Sequence, residues 1–124
     1  MRKVILNNQI WKALKPALIG AKGTIKRELE MGISELFQTE NRQLNIIIRR
    51  EGLEMVLVAV AGSKLEQSRQ EIINFARKNN YRTVRFHTKY PEHIEHAFSG
   101  LPISLYEVRK ALFGRDELIY KLEL

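Results

Sequence analysis

The 124 residues contain no cysteine. Disulfides, thiolate metal sites and a cysteine nucleophile are therefore excluded. No apolar run approaches the ~18 residues that a membrane-spanning helix needs. Arg2 and Lys3 are followed by only Val4-Ile5-Leu6 before two asparagines, which is too little for a signal peptide. The expectation is a soluble, intracellular, cytoplasmic protein. Internal repeats, low-complexity segments and linkers are also missing. One further shortage is local: residues 1–27 hold Arg2, Lys3, Lys12, Lys15, Lys22, Lys26 and Arg27 but no acid. The other residues balance, so the formal charge of +7 belongs to this segment. A field of one sign attracts phosphates, acidic protein surfaces or acidic substrates. Lys12, Lys15, Lys22, Lys26 and Arg27 are thus candidates for a partner or nucleic-acid surface; a solvated basic face is the plainer alternative.

With 44% apolar residues, the chain has enough material for one core, and residues 1–124 are expected to form a single domain. Its centre is Met55-Val56-Leu57-Val58-Ala59-Val60-Ala61-Gly62. Six consecutive apolar residues do not alternate, so the strand they form should be covered on both faces. Gly62 permits a sharp turn. Ser63 and Glu66 have the spacing of a capping box, and Leu65, Ile72, Phe75 and Ala76 fall on one face of the helix that follows. A strand, a tight turn and a helix N-terminus together can hold an anion, because free N–H groups and the helix dipole converge there. The alternative is a strand simply packed on a helix.

Elsewhere, residues 2–6 read as a first strand, and Asn7-Asn8 as a cap. Ile10, Trp11, Leu14, Ala17, Leu18 and Ala21 share a helical face, which Pro16 should break near Lys15. Gly20 and Gly23 weaken that segment further. Thr24 can cap a second helix, whose stripe of Ile25, Leu29, Ile33, Leu36 and Phe37 predicts an end between Gln38 and Asn41. Residues 44–50 form a strand joined to the central one by a hairpin through Gly52. After the helix from Ser63, which closes at Arg77-Lys78-Asn79-Asn80 with an Asn in the left-handed cap, residues 81–88 form a strand. A helix connects it to the central strand, so the two should be parallel. Val84 and Phe86 face one way, Arg85 and His87 the other. Pro91 opens a short helix bearing Ile94, Ala97 and Phe98. Residues 103–112 read as a strand or, through Ser104 and Glu107, as a capped helix. The strand is preferred, because Leu118, Tyr120, Leu122 and Leu124 alternate as a closing strand that needs a hairpin partner.

The resulting order, β-α-α-β-β-α-β-α-β-β in an α/β (α+β) mixed sheet, resembles the GNAT fold, the superfamily of N-acyltransferases that use acetyl-coenzyme A. The resemblance covers nearly the whole chain. It is strongest in the apolar strand from Met55, the helix ending Phe75-Ala76-Arg77, the strand Thr83–Thr88, the short helix from Pro91 to Ser99 and the ending Asp116–Leu124. The family's pyrophosphate cradle, Gln/Arg-x-x-Gly-x-Gly/Ala, is not matched: the slot reads Ala61-Gly62-Ser63-Lys64-Leu65-Glu66-Gln67-Ser68-Arg69, with one glycine and a carboxylate at Glu66. The tyrosine that often serves as general acid in the family's last helix is also missing from Pro91–Ser99, where Ala97, His96 or Phe98 takes its place. The resemblance therefore implies a degenerate member with no cofactor expected, used for binding or assembly. Compact chains with a poor cradle also look like small proteins encoded by phages and prophages. The alternative is an N-acetyltransferase with an atypical loop, in which Val60, Gly62, Ser63 and Lys64 would hold acetyl-coenzyme A. A second alternative is a nucleic-acid-binding basic domain.

Other constellations are weaker. His93 and His96, with Glu92 and Glu95, have metal-ligand types on one short helix, but neither the His-Glu-x-x-His spacing nor a clear third ligand; no metal is expected. Arg85, His87, Lys89 and Tyr90 mix cations with an aromatic, as nucleic-acid surfaces do, without a named motif. Trp11 reads as core. The closing strands could pair across a homo-oligomer interface.

Overall fold

Two short signals organise the N-terminal third. Asn7 accepts a hydrogen bond from the Ile10 N–H at 2.8 Å and so caps helix α1, Asn8–Leu14. Pro16 has no N–H to continue it, and Lys15–Leu18 tighten into a 3₁₀ turn. The structure, a computed structural model, describes residues 1–18 and 22–124. The expectations placed on Gly20, Ala21 and the Lys22 side chain lie outside the described residues. Ala17, assigned above to the apolar face, is exposed, because the 3₁₀ turn rotates it off that face.

The second helix, α2, runs Lys22–Met31. Thr24 therefore lies within its first turn rather than capping it, and the helix stops well short of Gln38. Gly32 ends it: its φ is +76°, its N–H donates to Leu29 O, and the Ile33 N–H reaches Glu28 O. This pair of bonds closes a helix at a left-handed glycine. Ser34–Gln38 is then strand β2, not helix, with Ser34 and Leu36 buried on one side. The expected element order lacked this strand. The expected first strand is also shorter: β1 is Arg2–Lys3, extended by one bond from the Val4 N–H to Leu36 O.

The remaining elements are β3 (Leu44–Glu51), β4 (Glu54–Gly62), helix α3 (Leu65–Lys78), β5 (Thr83–Thr88), helix α4 (Pro91–Ala97), β6 (Ile103–Arg109) and β7 (Glu117–Glu123). They form an α/β fold around one seven-stranded mixed sheet in the order β1-β2-β3-β4-β5-β7-β6. Among the described residues only β4 and β5 pair parallel; the other pairs are antiparallel. The α3 crossover requires this arrangement. Asn80, at φ +63°, takes the left-handed cap of α3 as anticipated.

The central strands of the sheet are covered on both faces. On one face Ile46, Ile48, Met55, Leu57, Val84, Phe86, Tyr120 and Leu122 pack against Ile72, Ile73 and Ala76 of α3 and against Ile94, Ala97 and Phe98 around α4. Phe86 lies 4.6 Å, centroid to centroid, from Phe98; burying such a ring contributes roughly 2–3 kcal/mol. On the other face Leu36, Ile47 and Ala59 meet Leu14, Leu18 and Ile25, with Trp11 packed at the margin. Met55–Ala59 thus lacks a wet side, which is why its sequence does not alternate.

Candidate functional site

Strands β4 and β5 are paired only over Glu54↔Thr83, Met55↔Val84, Val56↔Arg85 and Leu57↔Phe86. Beyond Leu57 and Phe86 they part. Opposite β3, the register jumps from Ile48↔Leu57 to Ile47↔Ala59, so Val58 is the extra residue of a β-bulge. A bulge bends its strand and ends regular pairing, which accounts for the divergence at that point. The ends of β4 and β5 are thus unpaired with each other, a mouth in the ladder that the start of α3 borders as its rim.

The expected cofactor-binding residues are contiguous at this rim. Val60 is half-buried against the α3–α4 core. Gly62 has φ +133°, and a β-carbon there would overlap the Gln43 carbonyl. The Ser63 N–H donates to the same Gln43 oxygen at 3.2 Å. Lys64 takes the left-handed conformation, φ +61°, as the residue before α3. The capping box expected of Ser63 and Glu66 does not form: no side chain caps α3. The left-handed turn at Lys64 shifts the helix start to Leu65. Ser63 is then one residue too early, and Glu66 occupies the second helical position, not the third. The Leu65 and Glu66 N–H groups have no intrahelical acceptor, as at any helix start. The exposed Glu66 carboxylate stands in the same turn.

The face of the sheet turned toward α1 and α2 carries a second feature. Side chains alternate along β5, so Arg85 and His87 point away from the Val84–Phe86 core. Register then aligns Arg49, Val56, Arg85 and Lys121 across four strands. The three cations interleave with carboxylates. Arg49 pairs with Glu28 of α2 at 3.2 Å and with Glu51 at 3.1 Å. Arg85 bridges Glu51 and Glu54, and Lys121 meets Glu54 at 3.2 Å. Thr83 also donates to Glu54, at 2.9 Å. Burial disfavours the Glu51 carboxylate, but Arg49 and Arg85 outweigh it and lower the pKa below the usual glutamate value. The Lys121 ammonium stands 4.0 Å over the Tyr106 ring.

At the mouth end of this face, His87 Nδ1 is 2.6 Å from Glu117 Oε1. In the neutral ring that contact places the proton on Nδ1 and leaves Nε2 with its lone pair. Nε2 is buried and has no partner among the described residues. On the opposite face the Tyr120 hydroxyl donates to Glu95 of α4 at 2.8 Å. Burial and that carboxylate push the phenol up to about 12. The alternation along β5 was legible, but Glu117 and Glu95 could not be matched to their partners without the register between strands.

The other sequence candidates are dispersed. Lys12, Lys15, Lys26 and Arg27 are exposed along the N-terminal helices, with the Lys26 ammonium 5.7 Å over Trp11. Arg85 is held in ion pairs and His87 in its contact with Glu117, so they do not form an open stripe with Lys89 and Tyr90. Tyr90 stacks on His93 instead, beneath Arg115. Among the described residues no three His, Cys, Asp or Glu side chains converge as a metal site, and no helix is long and apolar enough to cross a membrane. Two surface cavities of about 380 and 300 Å³ lie elsewhere, one beside Lys89 and Arg115 and one between Lys3 and Leu29.

No family model matches the chain, and no relative is found among curated proteins. Solved structures do match. The ribosomal-protein-S18-alanine N-acetyltransferase from Escherichia coli aligns with TM-score 0.63 at 13% identity, over 97% of this chain and 91% of that one. A ribosomal-protein-alanine N-acetyltransferase from Brucella melitensis aligns with TM-score 0.50 at 12% identity, over 82% of this chain and 75% of that one. At such identities the likeness is one of fold: the chain has the GNAT-like architecture of these acetyltransferases.

Proposed function

We propose that the chain is a non-catalytic form of this fold, used for binding and assembly, in which the cofactor cradle has been lost. The observation that supports this is the use made of Gly62. In a phosphate cradle, missing side chains let bare N–H groups approach the anion. Here the missing side chain admits the Gln43 backbone instead, and the Ser63 N–H is directed to Gln43 as well. Glu66 adds a carboxylate where phosphates would sit, a repulsive placement. Calorimetry with acetyl-coenzyme A tests the reading. No saturable heat is expected; tight binding of one equivalent overturns it. A phage or prophage accessory role, carried by resemblance, belongs to the same proposal, as do acidic protein or nucleic-acid partners for Lys12, Lys15, Lys26 and Arg27.

The parted β4 and β5 favour a second reading, an N-acyltransferase with an atypical loop. The structural neighbours are N-acetyltransferases. Acetyl-coenzyme A would supply the activated acyl group. Lys64 and the Leu65 and Glu66 N–H groups would hold its phosphates, and His87 Nε2, oriented by Glu117, would take the proton from an attacking amine. The Lys64→Ala variant separates the readings, because it removes the charge without disturbing the Gly62 contact. Under the second reading it weakens acetyl-coenzyme A binding; under the first there is no binding to weaken.

A further inference from the structure

β6 is an edge of the sheet: it pairs with β7 on one side, and no described strand covers the other. A bulge at Tyr106 and the charges of Glu107 and Arg109 are devices that usually guard an edge, yet the strand still shows apolar side chains to solvent. Leu105, Tyr106 and Val108 are 50%, 62% and 42% exposed, and the hairpin tip beyond them carries Leu112 and Phe113, each over 90% exposed. We infer that β6 pairs antiparallel with β6 of a second copy of this chain, about a two-fold axis at Val108, and joins the two sheets into one. This deepens the assembly part of the proposed function by naming the partner, and it stands whether or not acetyl-coenzyme A binds.

The charges choose the register. In a two-fold antiparallel pair one residue faces its own copy, and its neighbours face each other crosswise. Centred on Glu107 the pairing opposes two carboxylates, and centred on Arg109 it opposes two guanidinium groups; like charges directly opposite are destabilising. Centred on Val108 it sets Glu107 against the second copy's Arg109, twice, on one face of the sheet, while the two valines meet on the other. Within one chain Glu107 and Arg109 already meet at 2.7 Å, so both groups are displayed on the same face.

Sedimentation velocity across a micromolar to near-millimolar series tests this. The unmodified chain is expected to form a dimer. Glu107→Arg and Arg109→Glu should each be monomeric, because each sets like charges across the axis. An equimolar mixture of the two variants should recover the dimer, since every cross-strand pair is then opposite in sign. Val108→Lys should also be monomeric, with an unchanged circular dichroism spectrum showing that the edge variants fold. An unmodified chain that stays monomeric throughout, a dimer that survives both charge variants, or a mixture that fails to associate overturns the inference. None of these outcomes depends on calorimetry with acetyl-coenzyme A, so the two proposals fail separately.

Discussion

Gly62 sits directly beneath the carbonyl of Gln43, with no room for a β-carbon between the end of β4 and the turn before β3. Its φ of +133° is open to glycine and almost closed to other residues. Gly62→Ala should therefore destabilise the fold by about 2–4 kcal/mol, combining overlap with backbone strain. Urea unfolding measures it; a loss below about 1 kcal/mol would mean that the loop yields easily.

Lys64, two residues on, should respond in the opposite direction. A side chain at φ +61° costs about 1 kcal/mol relative to glycine. Lys64→Gly should raise stability by several tenths of a kcal/mol, net of the extra freedom it gives the unfolded chain. Thermal unfolding of the two single variants compares them directly.

Arg85 joins Glu51 to Glu54 while mostly buried on the α1–α2 side of the sheet. Arg85→Ala should cost about 1–3 kcal/mol, chiefly because Glu54 loses a partner in a half-dry site. The double variant Arg85→Met with Glu54→Leu should recover part of that loss. Additive losses in the double-mutant cycle would show that the two side chains are not coupled.

Glu51 makes the same cluster sensitive to acid. Its folded pKa is depressed by the two arginines, against the effect of burial. Its stabilising contribution is therefore present above the unfolded glutamate value and is lost as pH falls through the folded one. Glu51→Gln should flatten that part of the acid limb of a stability–pH curve. An unchanged limb would show that the pairing contributes nothing in solution.

Tyr120 predicts an alkaline limb. Its folded pKa, near 12, lies above the ordinary value of 10.0. Its contribution is complete below pH 10 and disappears as pH rises through the folded value. Tyr120→Phe should remove that limb and cost about 1 kcal/mol at neutral pH, because the hydroxyl's bond to Glu95 is lost. The tyrosinate absorbance of the unmodified chain should include a late step from Tyr120 that the variant lacks.

Legibility in the sequence followed the range of the physics. The doubly covered strand, the Asn7 cap, the Pro16 break, the Asn80 cap and the parallel β4–β5 pair all have local causes, and each could be read. β2 was missed because Ile33, Leu36 and Phe37 continue the stripe of α2 well enough to hide a chain reversal at Gly32. A glycine following Met31 was the available signal for a left-handed helix end. The Ser63–Glu66 box failed for a different reason. Its spacing was correct, but the Gln43 carbonyl takes the Ser63 N–H and Lys64 turns left-handed, so the helix begins one residue later than a box at Ser63 requires.

The sequence by itself determined the helices, the central strand and the connection that makes β4 and β5 parallel, because periodicity, caps and crossover geometry act over a few residues at a time. Only the tertiary structure decided that Val58 bulges and parts those strands, that His87 meets Glu117, and that Gly62 is closed by Gln43. Each depends on strand register, which is set by packing the central strands of the sheet between the helices on its two faces.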